Sequence, residues 1–447
     1  MTTPIVDFVR QYAASGTARL HMPGHKGEKF LGVEHLDITE ICGADDLFHP
    51  EDIIAESEDN ATALFGSGRT LYSTEGATLP IKAMLALAVQ NAPKTGGRPR
   101  ILAARNVHKS FLFGCALLDA EIEWLYPDTP THLCSSTVTP EQVRAALEQA
   151  DQPFCAVYLT SPDYLGNVAD VAGIAAVCKQ HSVPLLVDNA HGAYLAFSDP
   201  VCHPITLGAT MCADSAHKTL PVLTGGAYLH IAKDAPKAFA KGARNAMALF
   251  ASTSPSYLIL QSLDLCNEYL EKTLPTALKQ TAARVQGLRE LLLAVGYTLH
   301  GDEPLKLTVD GLQKGYRGTE LATQLRELGV EPEFADEDLV VLMCTPQNTD
   351  EELARVAQAL VELPQRTPIR SISSALTASP ERVLTVREAI LSAQEILPTD
   401  KALGRICATP AVSCPPAIPI VVSGERIDPH ALSLFARYGI DEIAVVK

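Results

Sequence analysis

The chain has 447 residues, 47% of them hydrophobic and 20% charged, with a formal net charge of −16. That length supports two or three domains with real cores, and the balance is that of a globular chain, not a disordered one. The acidic charge argues against a nucleic-acid partner, which needs basic patches; it mildly favours small cations, although solubility alone accounts for it.

No stretch approaches eighteen uninterrupted apolar residues, so no transmembrane helix and no membrane partner are expected. The start, "MTTPIVDFVRQYAASG", lacks a basic opening followed by an apolar block, so no signal peptide is expected either. Eleven cysteines are scattered singly from Cys42 to Cys414, without a C-x-x-C pair, and several sit in apolar runs such as "PFCAVYL" and "VLMC". Buried free thiols in a reducing cytoplasm explain them better than disulfides or zinc.

In chain order, residues 1–60 read as a loop-rich segment containing "HMPGHKG" and "GADDLFHPED". Pro23 and Gly24 between His21 and His25 forbid a helical ligand pair, so no metal is expected there. Next, "YSTEGATLPIKAMLALA" reads as a turn opening an apolar helix. Gly76 allows close approach, Thr78 offers a hydroxyl and Pro80 fits the first turn. Such a helix start suits a phosphate, although an ordinary turn and cap would look the same. "RPRILAARN" and "AEIEWLYP" read as strands. His108 in "RNVHKS" follows the first of them, where an imidazole could stack on a pyridine ring; a lone histidine is more often structural.

"TPEQVRAALEQA" is a helix with Thr139 as cap, Pro140 in the first turn and Gln142 completing a capping box. "PFCAVYLT" and "PLLVDNA" are buried strands flanking "DVAGIAAVCKQHS", a helix capped by Asp170. Apolar strands without alternation indicate an open, mostly parallel sheet covered on both faces, hence an α/β domain. After about residue 260 a long helical stretch breaks near Pro275. "LKLTVDG", "TELATQLRELGV", "DLVVLMCT" and "TDEELARVAQALVEL" then alternate strand and helix in a smaller α+β unit. "ELPQRTPIRSISSALTASPER" reads as a linker, and 380–447 as a helix, "CPPAIPIVVSGERI", a terminal helix and a strand. The expected segments are 1–60, a large domain 61–265, a small α+β domain 266–365 and a C-terminal α+β domain 366–447.

Two residues stand out within "PLLVDNAHGAY" and "ADSAHKTLPVLTGG". Lys218 is surrounded by small and apolar residues, and Asp188 ends a buried strand thirty residues earlier. A desolvated lysine has a lowered pKa and becomes a nucleophile able to form a Schiff base. A carboxylate at the carboxyl end of a strand can keep a pyridine nitrogen protonated, making the ring an electron sink. Together they are the arrangement of a pyridoxal 5′-phosphate (PLP) enzyme, with Ser215 and His217 able to add contacts. Singly, Asp188 could be a loop cap and Lys218 a surface lysine. A nucleotide-binding Rossmann reading is disfavoured, because no G-x-G-x-x-G follows a strand.

The ordered set "PGHKG", "DDLFHP", "EGAT", "RNVHKS", "TSPDYLG", "DNAHGAY", "SAHKTL", "STSPSYL" and "PPAIPIVVSGERI" strongly resembles the Orn/Lys/Arg decarboxylase family of fold-type-I PLP enzymes. The likeness runs from about residue 20 to the end and resembles a short form without the N-terminal wing domain. It implies an aspartate-aminotransferase-like large domain, PLP as cofactor, a basic amino acid (lysine, ornithine or arginine) as substrate and a homodimer with its site at the subunit interface. It implies Lys218 as the Schiff-base lysine, Asp188 as the pyridinium partner, Ala190 beneath the ring and His108 on its other face. Gly76, Ala77, Thr78, Ser215 and His217 fall on the phosphate side, Lys218 or His217 is the expected proton donor to Cα, and Ser254 in "STSPSYL" reaches the site around the dimer interface. Glu333 and Tyr164 fall to the substrate. Two loops, Asp163–Gly166 and Glu75–Ala77, and two residues, Tyr194 and Val107, depart from the family's usual pattern. The same cofactor geometry also serves aminotransferases and other lyases, or an idle PLP-fold regulator.

Overall fold

The computed structural model describes every residue except 95, 130–131, 371–375, 377–379 and 411–417. Cys414, the first three residues of "PPAIPIVVSGERI" and much of the expected linker therefore lie outside the described residues. The first two-thirds of the chain carries, in order, α1 (Pro4–Ala14), α2 (Ile53–Phe65), β1 (Arg69–Ser73), α3 (Thr78–Gln90), β2 (Arg100–Ala104), α4 (Lys109–Leu118), β3 (Glu121–Leu125), α5 (Pro140–Gln149), β4 (Ala156–Thr160), α6 (Val171–Gln180), β5 (Leu185–Asp188), β6 (Met211–Asp214), α7 (Ala216–Thr219), β7 (Ala227–Ile231), α8 (Lys237–Ala248), α9 (Tyr257–Lys272) and α10 (Leu274–Ala294). Then follow β8 (Thr298–His300), β9 (Lys306–Asp310), α11 (Gly318–Glu327), β10 (Phe334–Ala335), β11 (Leu339–Met343), α12 (Asp350–Val361), α13 (Val386–Leu391), β12 (Gln394–Pro398), β13 (Cys407–Thr409), α14 (Pro429–Arg437) and β14 (Glu442–Val446).

The chain divides into two compact units, Met1–Ala92 with Cys178–Ala277 and Pro93–Val177 with Leu278–Lys447. In the first unit the strands run β1-β7-β6-β5. β5 and β6 are parallel, whereas β7 is antiparallel to both β6 and β1. The reversal has a plain cause. The segment between β6 and β7, residues 215–226, holds one turn of helix and no full crossover helix of the kind that joins parallel strands. Every residue of β5, β6 and β7 is buried, as sheet strands covered on both faces should be.

The second unit holds β4-β2-β3, all parallel. The same unit holds the antiparallel sheet β10-β11-β9-β8 and the antiparallel sheet β12-β14-β13. The first of these packs Leu307, Val309, Val340 and Leu342 against Leu292 of α10, Leu325 of α11 and Leu360 of α12. The α/β class with mostly parallel large-sheet strands is thus what the chain adopts.

Local signals placed most caps correctly. Thr139 and Gln142 form the capping box of α5, and Asp170 accepts from the Gly173 N–H at 2.8 Å. Within the loop-rich residues 1–60, Pro4 starts α1, and Ile5, Val6 and Val9 form a buried stripe on it. Helix α2 runs through residue 60 and α9 through residue 265. The long helical stretch breaks at Thr273, close to Pro275 as expected, and Pro275 takes the first turn of the helix that follows. Of the described cysteines eight are buried, but Cys42 is exposed and Cys202 is intermediate. No described helix is long and apolar enough to cross a membrane.

Candidate active site

In the first unit, Lys218 lies on α7, just past the carboxyl end of β6. Its amine is 3.0 Å from Nε2 of His191, a histidine only 6% exposed. The neighbouring His217 donates from Nδ1 to the Gly226 carbonyl at 2.9 Å. Burial, with the Lys218 charge adding to it, lowers the basicity of His217. The ring is therefore neutral near pH 7, with its proton on Nδ1 and an accepting Nε2. Asp188 ends β5, 2% exposed, and its Oδ1 accepts from the Ala190 N–H at 3.1 Å. Ser215 is the N-cap of α7, and its side chain makes no capping bond.

The turn between β1 and α3 is built around Gly76, whose φ is +66°. A Cβ there would meet nothing within 4 Å, so the glycine is required by backbone conformation and not by crowding. Its N–H donates to the Gly225 carbonyl at 2.7 Å, tying this turn to the loop that follows Lys218. Ala77, the N-cap of α3, supplies no side-chain cap to the helix that starts at Thr78. First-turn amides without a capping side chain are a ready anion site. Glu75 accepts from the Ser252 N–H at 2.7 Å. Ser252, Thr253 and Ser254 are exposed.

In the second unit, His108 follows β2 as the N-cap of α4; its Nδ1 accepts from the Ser110 N–H at 3.2 Å. That bond leaves the proton on Nε2 and fixes the ring. Tyr164 sits on a turn made rigid by Asp163, whose Oδ1 accepts from the N–H groups of Leu165 and Asn167, both at 2.9 Å. Burial pushes the Asp163 carboxyl up. The Lys306 amine supports the same turn by donating to the Asp163 carbonyl at 3.2 Å. The Tyr164 hydroxyl donates to Glu333 at 2.6 Å.

Of the residues singled out from sequence, the first unit contains Lys218, His217, Ser215, Asp188, Ala190, Gly76, Ala77, Thr78 and Ser254, and the second contains His108, Tyr164 and Glu333. The structure joins Tyr164 to Glu333 directly and Asp188 to Ala190; Ser254 stands at the surface. Sequence reading passed over His191, although it lies inside the quoted "DNAHGAY", and it missed the buried group around Asp214. Among the described residues, His203, Cys212 and Asp214 lie close enough to hold a metal ion, as do His132, Asp336 and Asp338.

The chain matches the description Orn/Lys/Arg decarboxylase, major domain, over residues 3–292. It also matches Orn/Lys/Arg decarboxylase, C-terminal domain, over residues 370–438. It is 30% identical over 470 residues to the uncharacterized protein YaaO of Bacillus subtilis (strain 168), covering 98% of this chain and 94% of the relative. An arginine decarboxylase of the same strain is 29% identical over 469 residues, covering 96% and 92%. Among solved structures, the E. coli constitutive lysine decarboxylase superposes with a TM-score of 0.79 at 17% identity, over 100% of this chain and 82% of that one. The Francisella novicida lysine decarboxylase LdcF gives 0.81 at 17% identity, over 100% and 81%. At that identity the likeness is one of fold.

Proposed function

We propose, from the premise that this chain belongs to the Orn/Lys/Arg decarboxylase family of PLP-dependent amino-acid decarboxylases, that it removes the α-carboxylate of arginine in preference to lysine or ornithine. The arginine preference is supported by the curated relatives named arginine decarboxylase, which match over nearly the whole chain. The observation that carries the site is the pairing of a half-buried Lys218 amine with His191, in the unit that also holds the buried Asp188 carboxylate and the start of α3 at Ala77 and Thr78.

The residues fit PLP. An amine, a buried acceptor for a ring N–H and first-turn amides for a phosphate are the three donor and acceptor types it requires. Lys218 would anchor it, Asp188 would accept from its ring nitrogen, and the Ala77 and Thr78 amides with the Ser215 hydroxyl would take its phosphate. His108 would offer an imidazole face, Ala190 and Gly76 add little bulk within their own unit, and His217 belongs to the phosphate side. PLP, when bound, supplies an electron sink for the pair left on Cα as the carboxylate departs. The carboxylate of Glu333, oriented by Tyr164, would receive the distal cation of the substrate. Delivery of a proton to Cα falls to the Lys218 amine, which His191 Nε2 holds in place. His217 is poorly suited to that step, since its proton is committed to the Gly226 carbonyl.

A cytoplasmic homodimer completes the reading. It is supported by free buried thiols, by the exposed Ser252–Ser254 segment and by Leu20 and Phe30, each 94% exposed. The segments 1–60, 61–265, 266–365 and 366–447 remain our proposed division; the separate C-terminal match supports the last of them.

The test is an absorbance scan followed by CO2 release from arginine, lysine and ornithine in turn. A band near about 420 nm that borohydride abolishes places PLP on a lysine, and CO2 from arginine settles the reaction. A yellow protein that releases none would point to other PLP chemistry. A protein that PLP cannot reconstitute would defeat the reading.

A further inference from the structure

Asp214 is the last residue of β6 and has no exposed surface. Four donors converge on its carboxylate. Oδ1 takes the Asn189 amide at 2.7 Å and the Cys212 thiol at 3.2 Å. Oδ2 takes His203 Nε2 at 2.9 Å and His230 Nε2 at 3.1 Å.

The proton positions follow from the outer partners. His203 Nδ1 accepts from the Ile205 N–H at 3.4 Å, so its proton is on Nε2. His230 Nδ1 lies 2.8 Å from the Thr70 hydroxyl, which lies 2.8 Å from that of Ser67. Those hydroxyls can donate in series toward His230, leaving its Nε2 proton for Asp214. Burial alone would raise the Asp214 carboxyl, but the two imidazoles outweigh it and hold the group well below the usual carboxylate range. Burial lowers the basicity of His230, consistent with a neutral ring.

An ionised carboxylate only accepts, so Asn189 must present its NH2 group. The opposite atom, Asn189 Oδ1, is buried with no hydrogen-bond partner among the described residues. The orientation of this amide thus rests on Asp214. Asn189 directly follows Asp188, its N–H donates to the Ala213 carbonyl at 2.9 Å, and its carbonyl accepts from Gly192 at 2.8 Å. Asp214 directly precedes Ser215 and the turn that carries Lys218.

We propose that Asp214 is a positioning residue for the cofactor site: through Asn189 it clamps the strand-end turn that bears Asp188 and Ala190, and through its own backbone the start of the Lys218 turn. The inference rests on the PLP reading above. It explains why two histidines and a carboxylate are spent in a wholly buried position where apolar packing would serve stability as well. A metal held by His203, Cys212 and Asp214 would require the same protons to be absent.

The test uses the parent holoprotein, Asp214→Asn and Asn189→Ala. It reads PLP affinity by absorbance titration, the visible circular dichroism of the bound chromophore, and melting of the cofactor-free form. Each variant should bind PLP roughly tenfold more weakly, the size of one charge-assisted hydrogen bond lost, with an altered dichroic band. Asn189→Ala should still fold but melt lower without PLP, since it leaves the buried Asp214 carboxylate one donor short. A parent that binds no PLP would defeat the functional reading itself. A parent that binds it, beside a folded Asn189→Ala with parental affinity and dichroism, would overturn the clamp. So would one zinc per chain in the purified parent. Should Asp214→Asn fail to fold, Asn189→Ala decides.

Discussion

Removing the Tyr164 hydroxyl probes the substrate end of the site. The ring is 7% exposed and packs edge-on against Phe334, with centroids 5.6 Å apart. Tyr164→Phe keeps that packing and deletes the 2.6 Å bond to Glu333. A hydrogen bond to a charged group contributes about 1.5–3 kcal/mol. Glu333 is exposed, so the low end applies, which is about tenfold in an equilibrium constant. The expected result is a KM for arginine raised roughly tenfold, with kcat within about twofold, because the distal end of the substrate takes no part in bond breaking. Glu333→Gln removes the charge itself and should raise KM by about a hundredfold. Since Tyr164 acts only by orienting Glu333, the double variant should match Glu333→Gln to within about threefold. The assay is initial-rate CO2 release across arginine concentrations, with thermal melting to show that each variant is folded. An unchanged KM in Tyr164→Phe refutes the reasoning, and so does a double variant whose loss is the product of the two single losses.

Lys218→Ala should abolish turnover and the borohydride-fixed PLP adduct seen by mass spectrometry; an adduct of undiminished yield would place the anchor elsewhere. Asp188→Asn should retain PLP but slow turnover by orders of magnitude, and an unaffected rate would remove Asp188 from its role. Burial pushes the Asp264 carboxyl up to about 6, above its ordinary value of about 4. The folded state therefore holds that proton more tightly than the unfolded one. The stabilisation is complete below about pH 4 and is lost as pH rises through 6, on the order of 3 kcal/mol in all. Urea unfolding of the parent and of Asp264→Asn should then show a stability difference that shifts by that amount in favour of the variant between about pH 4 and pH 7; a constant difference would contradict it. Gly301 has φ of +80°, and a Cβ there would lie 2.3 Å from the Leu165 carbonyl oxygen, beside Tyr164. Gly301→Ala should cost about 3 kcal/mol and raise KM by displacing the Tyr164 turn; parental melting would show that the turn yields freely.

Much of the site was legible because its signals are local. A lysine among small residues, a carboxylate ending an apolar run, and a glycine before an uncapped helix are each set by neighbours a few positions away. The capping boxes of α5 and the cap of α6 belong to the same class. The amphipathic stripe of α1 was equally local but was hidden by the loop-like motifs that follow it. The antiparallel course of β7 depends on the sheet edge it joins. The Tyr164–Glu333 bond spans 169 positions, and the Asp214 network gathers residues from β1, β6, β7 and loops, one of them the turn after β5. No propensity or period encodes such meetings. Sequence by itself determined the family and the candidate residues, because each is marked by its own neighbours and the motifs follow one order. Only the tertiary structure decided what orients those residues, because that depends on desolvated contacts between strands far apart in the chain.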